Sequence, residues 1–325
     1  MALLALTLAL LPMTVATTAY EVIPLDMALD SFDDQYWGCG PAMKAALPAL
    51  NRSEFQKNPL FAKVWQKAVA EWQSWESPVS PLSSSSQAIA IMAYTMNDLY
   101  QEFNDEVRMA GRSPQAYRDN FHFKTLHFLL TDALATLKVK EEQKCRCVYR
   151  GVDKYKFKAN VGDIVRFGQF ASTSVCEDVA HDFGETTVFV VRTCYGAYIE
   201  PFSHFDDEEE VLIPPFEKFK VTEVIEEKKK VEIHLESIGT YSKYNCEWEQ
   251  PHGPLPPRRT PPGHHSPGHG HRDPLSHEAT KVNEVTVVNA ATTITKATRT
   301  PRETRSPRLP RPPLPLWPPW PPRPA

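Results

Sequence analysis

The first 250 residues lack the excess of basic residues that a nucleic-acid-binding domain usually presents. The chain of 325 residues has a net charge of −4, with 36 Lys and Arg against 40 Asp and Glu. Residues 251–325 hold 11 of the basic and 4 of the acidic residues, a surplus of +7, which leaves −11 for the first 250 residues. The basic segment also lacks the interleaved aromatic pattern on which single-stranded bases stack. We therefore expect no nucleic-acid partner.

The motifs of two common kinds of site are also missing. Cys145 and Cys147 are separated by one residue, which is too close for a zinc knuckle, and no second pair follows at metal-binding spacing. The serines near residue 172 have no histidine beside them in a G-x-S-x-G context. We expect no metal site and no serine nucleophile.

Long hydrophobic runs are scarce. Residues 1–12 are almost wholly apolar but too short to span a bilayer, and small residues follow up to Ala19. This pattern predicts a signal peptide over residues 1–19, with a buried N-terminal helix as the alternative. Residues 282–294 are too polar for a membrane anchor, and no hydrophobic C-terminal stretch of the glycolipid-anchor type is visible. We expect a secreted, extracellular protein without a transmembrane segment.

All six cysteines follow the predicted signal peptide. An even number of cysteines in a secreted chain favours disulfide bonds, and six of them allow 15 pairings. The sequon at Asn51 is a candidate glycosylation site in the same compartment.

The composition divides the remaining chain in two. Residues 251–325 contain 19 of the 30 prolines and cannot bury enough apolar surface to offset the entropy of ordering. We expect a disordered tail rich in Pro, His and Arg, which leaves residues 20–250 as the folded domain.

The periodicity of apolar residues changes within that domain. Three segments before residue 140 have apolar residues every three or four positions, which predicts helices and places Trp65 and Trp72 in a core rather than in a ligand cage. A loop is expected over residues 77–86, and short β-rich runs follow residue 144. Helices followed by strands indicate an α+β fold with antiparallel or mixed sheets. The predicted strands are Cys147–Tyr149, Ile164–Phe167, Thr187–Thr193, Val211–Ile213, Phe219–Ile225 and Val231–Leu235.

Two segments of the strand-rich half carry polar groups suited to chemistry. Arg150 is followed by a glycine, so its planar fork could hold a phosphate or carboxylate while the glycine lets a ligand approach; a surface ion pair is the alternative. Hydroxyls begin at Ser172 and could orient a sugar or a carboxylate. Glu177 lies three residues after Ser174, which favours Ser174 as a helix cap and leaves Ser172 available.

Five consecutive acidic residues, from Asp206 to Glu210, run into an apolar strand. On a strand, Glu208 and Glu210 would share one face and Glu209 would point away. Two such carboxylates, roughly 7 Å apart, could divide the work: one stabilises an oxocarbenium ion and the other takes a proton. A solvated acidic loop or a calcium site is the alternative.

Taken in order, these segments resemble the vertebrate arginine-specific ecto-mono-ADP-ribosyltransferases, relatives of bacterial toxins with an R-S-E signature. The resemblance covers residues 23–246. It implies a helical region followed by a split pair of β-sheets. The segments that carry it are SFDDQYWGC, IMAYT, FHFKTLHFLL, VYRGV, RFGQFASTS, EEEVLIPPFE and YNC.

The resemblance also implies roles for single residues. Arg150 would grip the phosphates of NAD, Ser172 would hold the nicotinamide-side ribose and the catalytic glutamate, Glu210 would be that glutamate, and Glu208 would serve the incoming arginine. Phe205 would also face the acceptor. Further positions that would line the NAD site are Tyr94, Gln169 and Ser203. The implied disulfides are Cys39–Cys246 and Cys145–Cys194, with Cys147 and Cys176 either paired to each other or free.

The activity implied is transfer of ADP-ribose from NAD, or from NADP, to arginine on extracellular or cell-surface proteins. NAD would be a substrate, with no permanently bound cofactor. Two alternatives remain open, an NAD glycohydrolase and a catalytically silent binding protein. In the resembling family a non-acidic residue at the first position of the E-x-E pair marks weak arginine transfer, and here Glu208 is acidic.

Overall fold

The structure, a computed structural model, describes residues 20–75, 77–141 and 144–249. The predicted signal peptide and the predicted Pro-rich tail lie outside these residues, so both stay predictions. Within the described residues, no helix combines the length and the apolar character needed to cross a membrane.

The first half of the domain is helical, as predicted. In α2 the apolar stripe Phe61, Val64, Ala68 and Trp72 is buried, and Trp65 packs edge-on against Phe61 at 5.7 Å. The two tryptophans are therefore core residues. The helices are α1 (Gly40–Lys57), α2 (Pro59–Ser74), α3 (Ser85–Thr95), α4 (Tyr100–Ala110), α5 (Pro114–Asn120) and α6 (Lys124–Lys140), and a short α7 (Glu177–Asp182) lies among the strands.

The second half forms a mixed sheet of eight strands in the order β4-β9-β10-β6-β2-β5-β8-β7, and β1 pairs separately with β3. β6 and β10 are parallel, as are β1 and β3, and the other pairs are antiparallel. The α+β prediction is confirmed. The strands are β1 (Glu21–Pro24), β2 (Arg146–Val152), β3 (Tyr155–Lys158), β4 (Ile164–Val165), β5 (Ala171–Ser174), β6 (Thr187–Thr193), β7 (Ala197–Tyr198), β8 (Glu210–Ile213), β9 (Glu217–Glu226) and β10 (Val231–Thr240).

The eight-stranded sheet is nearly divided between β2 and β5. In the described chain, these two strands pair through Tyr149 and Ser174 alone, whereas β2 and β6 pair along seven residues. The two halves of the predicted split sheet are thus continuous through one residue pair and separate beyond it. The separation leaves side chains of β2 and β5 facing an open space.

Strand β8 lies between two hydrophobic cores. Leu212 belongs to the core of the helical layer, and its neighbours Val211 and Ile213 belong to the core behind the sheet. Because both faces of β8 are covered, the strand is a continuous apolar run without alternation. Glu210 begins this strand and is held at the edge of both cores.

A buried ion pair ties the ends of the domain to its centre. The Arg166 guanidinium donates to Asp33 Oδ2 at 2.6 Å, with both side chains fully buried. It also donates to the carbonyls of Ala28 and Tyr241. Since Arg166 leaves the strand to make these bonds, β4 ends at Val165, and the predicted strand Ile164–Phe167 is wrong in its second half.

Both disulfides implied by the resemblance are present, Cys39–Cys246 and Cys145–Cys194. The first closes a loop with a sequence separation of 207 residues and is worth roughly 4 to 5 kcal/mol on the chain-entropy estimate. Cys147 and Cys176 are free thiols, exposed and half-buried respectively. Of the two alternatives for this pair, the structure has the unpaired one.

Two local predictions, a loop end and a helix cap, are wrong, and a third, at Asn51, stays untested. The predicted loop over residues 77–86 ends two residues early, because α3 begins at Ser85. Ser174 does not cap α7: Cys176 is the N-cap, and the Ser174 hydroxyl donates to the Glu208 carbonyl at 2.7 Å. Asn51 lies within α1 and is half-buried, not in a surface loop, and its glycosylation stays a prediction.

Candidate active site

A cleft opens where β2 and β5 separate. Arg150 reaches it from β2, Ser172 from β5 and Glu210 from the start of β8, and Glu208 lies in the preceding loop. The cleft measures about 300 Å³ when its open mouth is included. Four residues singled out from three separate segments therefore meet at one place. Its lining also includes Tyr149, Gly151, Thr173, Ser174, Ala180 and Phe183.

Arg150 joins the two halves of the split sheet. It is half-buried on β2, and its Nη1 donates to the backbone carbonyl of Ser172 on β5. The guanidinium thereby links β2 to β5 just beyond Tyr149 and Ser174, where the backbone pairing of the two strands ends. It remains part of the cleft wall, where its positive charge can meet an anionic ligand.

The glycine after Arg150 is required by packing. A Cβ at Gly151 would lie 2.1 Å from the carbonyl oxygen of Ala180 and 2.2 Å from that of Gly184. The backbone of α7 and of the turn after it occupies the space that a side chain would need. Gly151 also lines the cleft, and the expected approach of a ligand to it stays a prediction. Close packing of α7 in turn places Ala180 and Phe183 in the cleft wall.

Ser172 faces a buried polar cluster behind the cleft. The Tyr94 hydroxyl donates to the Phe170 carbonyl at 3.0 Å, and the Asn104 amide donates to both of these oxygens. Burial raises the pKa of Tyr94, while hydrogen bonds with Asn104 and Ser172 oppose the rise. Tyr94 is therefore a neutral phenol that fixes the backbone just before β5.

Glu210 is the most enclosed carboxylate of the cleft, with 2% exposure. The Ser203 hydroxyl donates to its Oε2 at 3.0 Å. Its Oε1 is buried and has no hydrogen-bond partner. A buried carboxylate oxygen without a donor is costly, and this one belongs to a residue that lines the cleft.

Glu208 and Glu210 both line the cleft, and Glu209 is exposed, as predicted. The predicted reason, strand alternation, is wrong, because β8 begins only at Glu210. Glu209 instead has a left-handed backbone with φ of 46°, and its carbonyl accepts from Val175 N at 3.2 Å. The sharp bend at Glu209 brings Glu208 back over the cleft and buries it to 8% exposure.

Four further residues implied by the resemblance surround the cleft without lining it: Tyr94, Gln169, Ser203 and Phe205. All four are buried.

Gln169 Oε1 accepts from Arg108 Nη1, a contact between α4 and the β4–β5 segment that the sequence did not indicate. Burial raises the pKa of the Arg108 partner Asp105 to about 6, and Arg108 opposes the rise. Asn104 and Arg108 on α4 and Phe183, which directly follows α7, were missed because the patterns of these helices carry no sign of a site.

A second, larger cavity lies beside the helices, at about 600 Å³ counted in the same way. Its basic residues serve the fold. Lys124 Nζ donates to the Arg118 carbonyl at 3.2 Å, and Arg118 pairs with Glu247 at 2.8 Å. None of the residues implied by the resemblance lines it, so size alone does not mark the candidate site.

The described residues contain no group of three or more His, Cys, Asp or Glu side chains placed to hold a metal ion.

Comparison with known proteins identifies the family of the chain. The sequence model of the NAD:arginine ADP-ribosyltransferase family matches residues 25–243, which include every residue of the cleft. The chain belongs to this family. The predictions of family and enzyme class are therefore confirmed.

Close relatives are vertebrate arginine ADP-ribosyltransferases. NAD(P)(+)–arginine ADP-ribosyltransferase 2 of Gallus gallus is 48% identical over 232 residues, which cover 70% of this chain and 74% of the relative. The GPI-linked NAD(P)(+)–arginine ADP-ribosyltransferase 1 of Homo sapiens is 45% identical over 254 residues, covering 73% and 78%.

The fold matches a solved member of the same class. The crystal structure of the eukaryotic mono-ADP-ribosyltransferase ART2.2 aligns with a TM-score of 0.60 and 35% identity, covering 69% of this chain and 98% of that one. A mutant of the same protein was solved in complex with NAD, and it aligns with a TM-score of 0.57, 33% identity and the same coverage.

Proposed function

We propose that the cleft binds the end of NAD that carries nicotinamide and its ribose. There the glycosidic bond between nicotinamide and ribose breaks, and ADP-ribose is transferred to an arginine of an acceptor protein. The observation that carries this proposal is Glu210, whose Oε1 is buried at the cleft without a hydrogen-bond partner.

Glu210 stabilises the sugar cation. When nicotinamide leaves with the electron pair of the glycosidic bond, positive charge develops on the ribose, and a carboxylate already held in place lowers the energy of that state. Ser203 fixes Oε2, so Oε1 is the oxygen that meets the ribose hydroxyl. The carboxylate needs no reorientation at the moment of reaction.

Arg150 and Ser172 position the donor. The Arg150 guanidinium binds the NAD phosphates, because a planar cation matches two oxygens of an anion. Ser172 directs the ribose from the opposite side of the cleft. The bond between Arg150 and the Ser172 carbonyl keeps these two groups in a constant relation.

Glu208 serves the acceptor. An arginine side chain is protonated in solution and must lose a proton when its nitrogen bonds to the ribose carbon. The Glu208 carboxylate lies over the cleft beside Glu210, where it attracts the guanidinium and accepts that proton. Phe205 is buried three residues before Glu208 and forms part of the acceptor side.

Incubation with labelled NAD and the guanidine agmatine tests this function. The expected product is ADP-ribosylagmatine in excess over free ADP-ribose. Free ADP-ribose alone would favour the alternative, an NAD glycohydrolase, and neither product would leave only a binding role. Parallel reactions with NADP determine whether the second donor is used.

An extracellular site of action accompanies this proposal. Two disulfides lie in the described chain, and disulfides persist in oxidising compartments. Recovery of the protein from the medium of expressing cells, with both disulfides intact by peptide mapping, is the expected result; retention in the reducing cytosol would contradict it.

A further inference from the structure

The segment that carries Phe205 and Glu208 is anchored to helix α2. His204 Nδ1 lies 2.8 Å from Glu71 Oε1, and the His204 backbone amide donates to the Thr95 hydroxyl at 2.8 Å. The Glu71 and His204 side chains are 18% and 23% exposed. They are therefore partly shielded from water, and the contact is a hydrogen bond between an imidazole and a carboxylate in a partly buried place.

The other end of the segment is anchored to the sheet by different atoms. Ser203 bonds to Glu210, the Ser174 hydroxyl donates to the Glu208 carbonyl at 2.7 Å, and Val175 N donates to the Glu209 carbonyl. β8 itself pairs with β5 through Glu210 and Ser174. Each of these contacts holds Glu210 and the residues before it from the side of the sheet, and none of them is made by Glu71.

The histidine connects its anchor to the acceptor side. The rings of His204 and Phe205 meet edge to face, with centroids 4.7 Å apart and an interplanar angle of 77°. An imidazole whose Nδ1 is bound to a carboxylate cannot turn freely, so its ring gives Phe205 a fixed surface to pack against. The Phe205 amide also donates to Ser203 Oγ at 3.2 Å, which fixes the backbone that carries the phenyl ring.

We propose that Glu71 and His204 are positioning residues for the arginine acceptor: Glu71 orients His204, and His204 holds Phe205 in the position that receives the acceptor. This inference rests on the proposed function of the cleft. It assigns to helix α2 a part in acceptor binding and none in NAD cleavage.

Two activities, measured on the same preparation, distinguish a role in acceptor binding from a role in NAD cleavage. The Michaelis constant for agmatine is measured at saturating NAD, and NAD hydrolysis is measured without acceptor. Glu71→Ala should raise the agmatine constant about tenfold, the usual effect of losing a hydrogen bond to a charged group. Hydrolysis should stay within about twofold, because the contacts of Glu210 are unchanged.

The variants include a rescue and a matched control. Glu71→Gln keeps an acceptor oxygen for His204 and should restore most of the loss. Combining Glu71→Ala with His204→Ala should cost no more than His204→Ala alone, since both act through one contact. Lys67→Ala removes another ion pair of α2, with Asp98 at 3.1 Å and both partners half exposed, and should leave both activities unchanged.

An unchanged agmatine constant in Glu71→Ala would overturn the inference, and so would a parallel fall in hydrolysis, which would mean that α2 supports the whole site. Thermal unfolding of each variant distinguishes these results from loss of the fold. A wild-type protein that hydrolyses NAD but never modifies agmatine would reject the acceptor role of the cleft and this inference with it.

Discussion

Ser203 donates to Oε2 of Glu210 at 3.0 Å and leaves Oε1 of the same carboxylate buried without a partner. One oxygen is fixed by the protein, and the other is the one proposed to meet the substrate. The arrangement resembles a general feature of enzymes, in which the cost of burying a polar group is offset only when the ligand is bound.

Glu210→Gln should therefore abolish both NAD hydrolysis and arginine transfer. Removal of one positioned charged group costs on the order of 10²- to 10³-fold in rate, and glutamine keeps the size but not the charge. Product analysis with labelled NAD measures both activities. Glu209→Gln is the control, since Glu209 is exposed next to it; an equal loss in that variant would contradict the assignment.

Glu208→Gln should spare NAD hydrolysis and remove arginine transfer. Glu208 lines the cleft but no role in stabilising the sugar cation is assigned to it. Hydrolysis within about threefold of wild type is expected, with a transfer rate lower by on the order of 10²-fold. Free ADP-ribose and ADP-ribosylagmatine are quantified in the same reaction. Equal loss of both products would reject the division of roles between the two carboxylates.

Gly151→Ala should lower both activities by displacing α7 from β2. A methyl group at this position would come within 2.2 Å of two backbone oxygens, and backbone cannot yield as a flexible side chain does. We expect the free energy of unfolding to fall by about 1 to 3 kcal/mol, measured by chemical denaturation. Gly40→Ala is the matched control, because no atom lies within 4 Å of its Cβ. A fully active Gly151→Ala protein would show that the cleft does not depend on α7.

Arg166→Met should strongly destabilise the protein. It would leave the carboxylate of Asp33 buried without its cation, whereas burial already raises the pKa of Asp33 and Arg166 opposes that rise. Breaking one side of a buried pair costs about 3–5 kcal/mol, measured by denaturant unfolding. Arg192→Met is the control, since the Arg192–Glu236 pair is exposed and worth less than about 1 kcal/mol. Similar losses in both variants would argue against a special role of the buried pair.

His127 should make the protein sensitive to acid. Its ring is fully enclosed, with Nε2 near the Phe32 carbonyl at 3.2 Å and Nδ1 near the Tyr36 hydroxyl at 2.8 Å. Because a carbonyl only accepts, Nε2 carries the proton and Nδ1 accepts from Tyr36. Burial lowers the pKa of His127 from 6.5 to about 3, partly opposed by the bond to Phe32.

The sign of the effect follows from proton binding. Between pH 6.5 and 3 the unfolded chain protonates this histidine and the folded chain does not, so stability falls as the pH falls. The loss attributable to His127 is up to about 2 to 3 kcal/mol by pH 4.5. His127→Gln should be less stable at pH 7.5 but lose less on acidification. The difference between the two unfolding curves against pH measures the effect, and parallel curves would show that His127 is not responsible.

Parts of the fold were predictable because they depend on local periodicity. The stripe of α2 buries one face of an ordinary amphipathic helix, and β6 coincides with the predicted strand Thr187–Thr193. Helix α3 was not predicted, since eight of its eleven residues are buried and it therefore has no polar face to mark a period. Arg166 was read as part of a strand because its neighbours are apolar, and only its partner Asp33, distant in the sequence, moves it out.

The candidate site was also only partly predictable from sequence. The sequence indicated that Glu208 and Glu210 act together, and they do share the cleft. Glu209 brings them together through its left-handed backbone. The two-residue alternation of a strand does not predict such a conformation. The bond from Ser203 to Glu210 and the anchor of His204 on Glu71 join residues whose types are unremarkable alone.

The sequence by itself determined the family and the α+β class and indicated the side chains proposed to carry the chemistry, because these depend on residue types in a fixed order along the chain. The tertiary structure decided what those side chains can do. It separated β2 from β5 beyond one residue pair, buried Glu210 at the start of β8 and left one of its oxygens without a partner. Burial and the absence of a donor arise from groups distant in sequence, and only their packing brings them to one carboxylate.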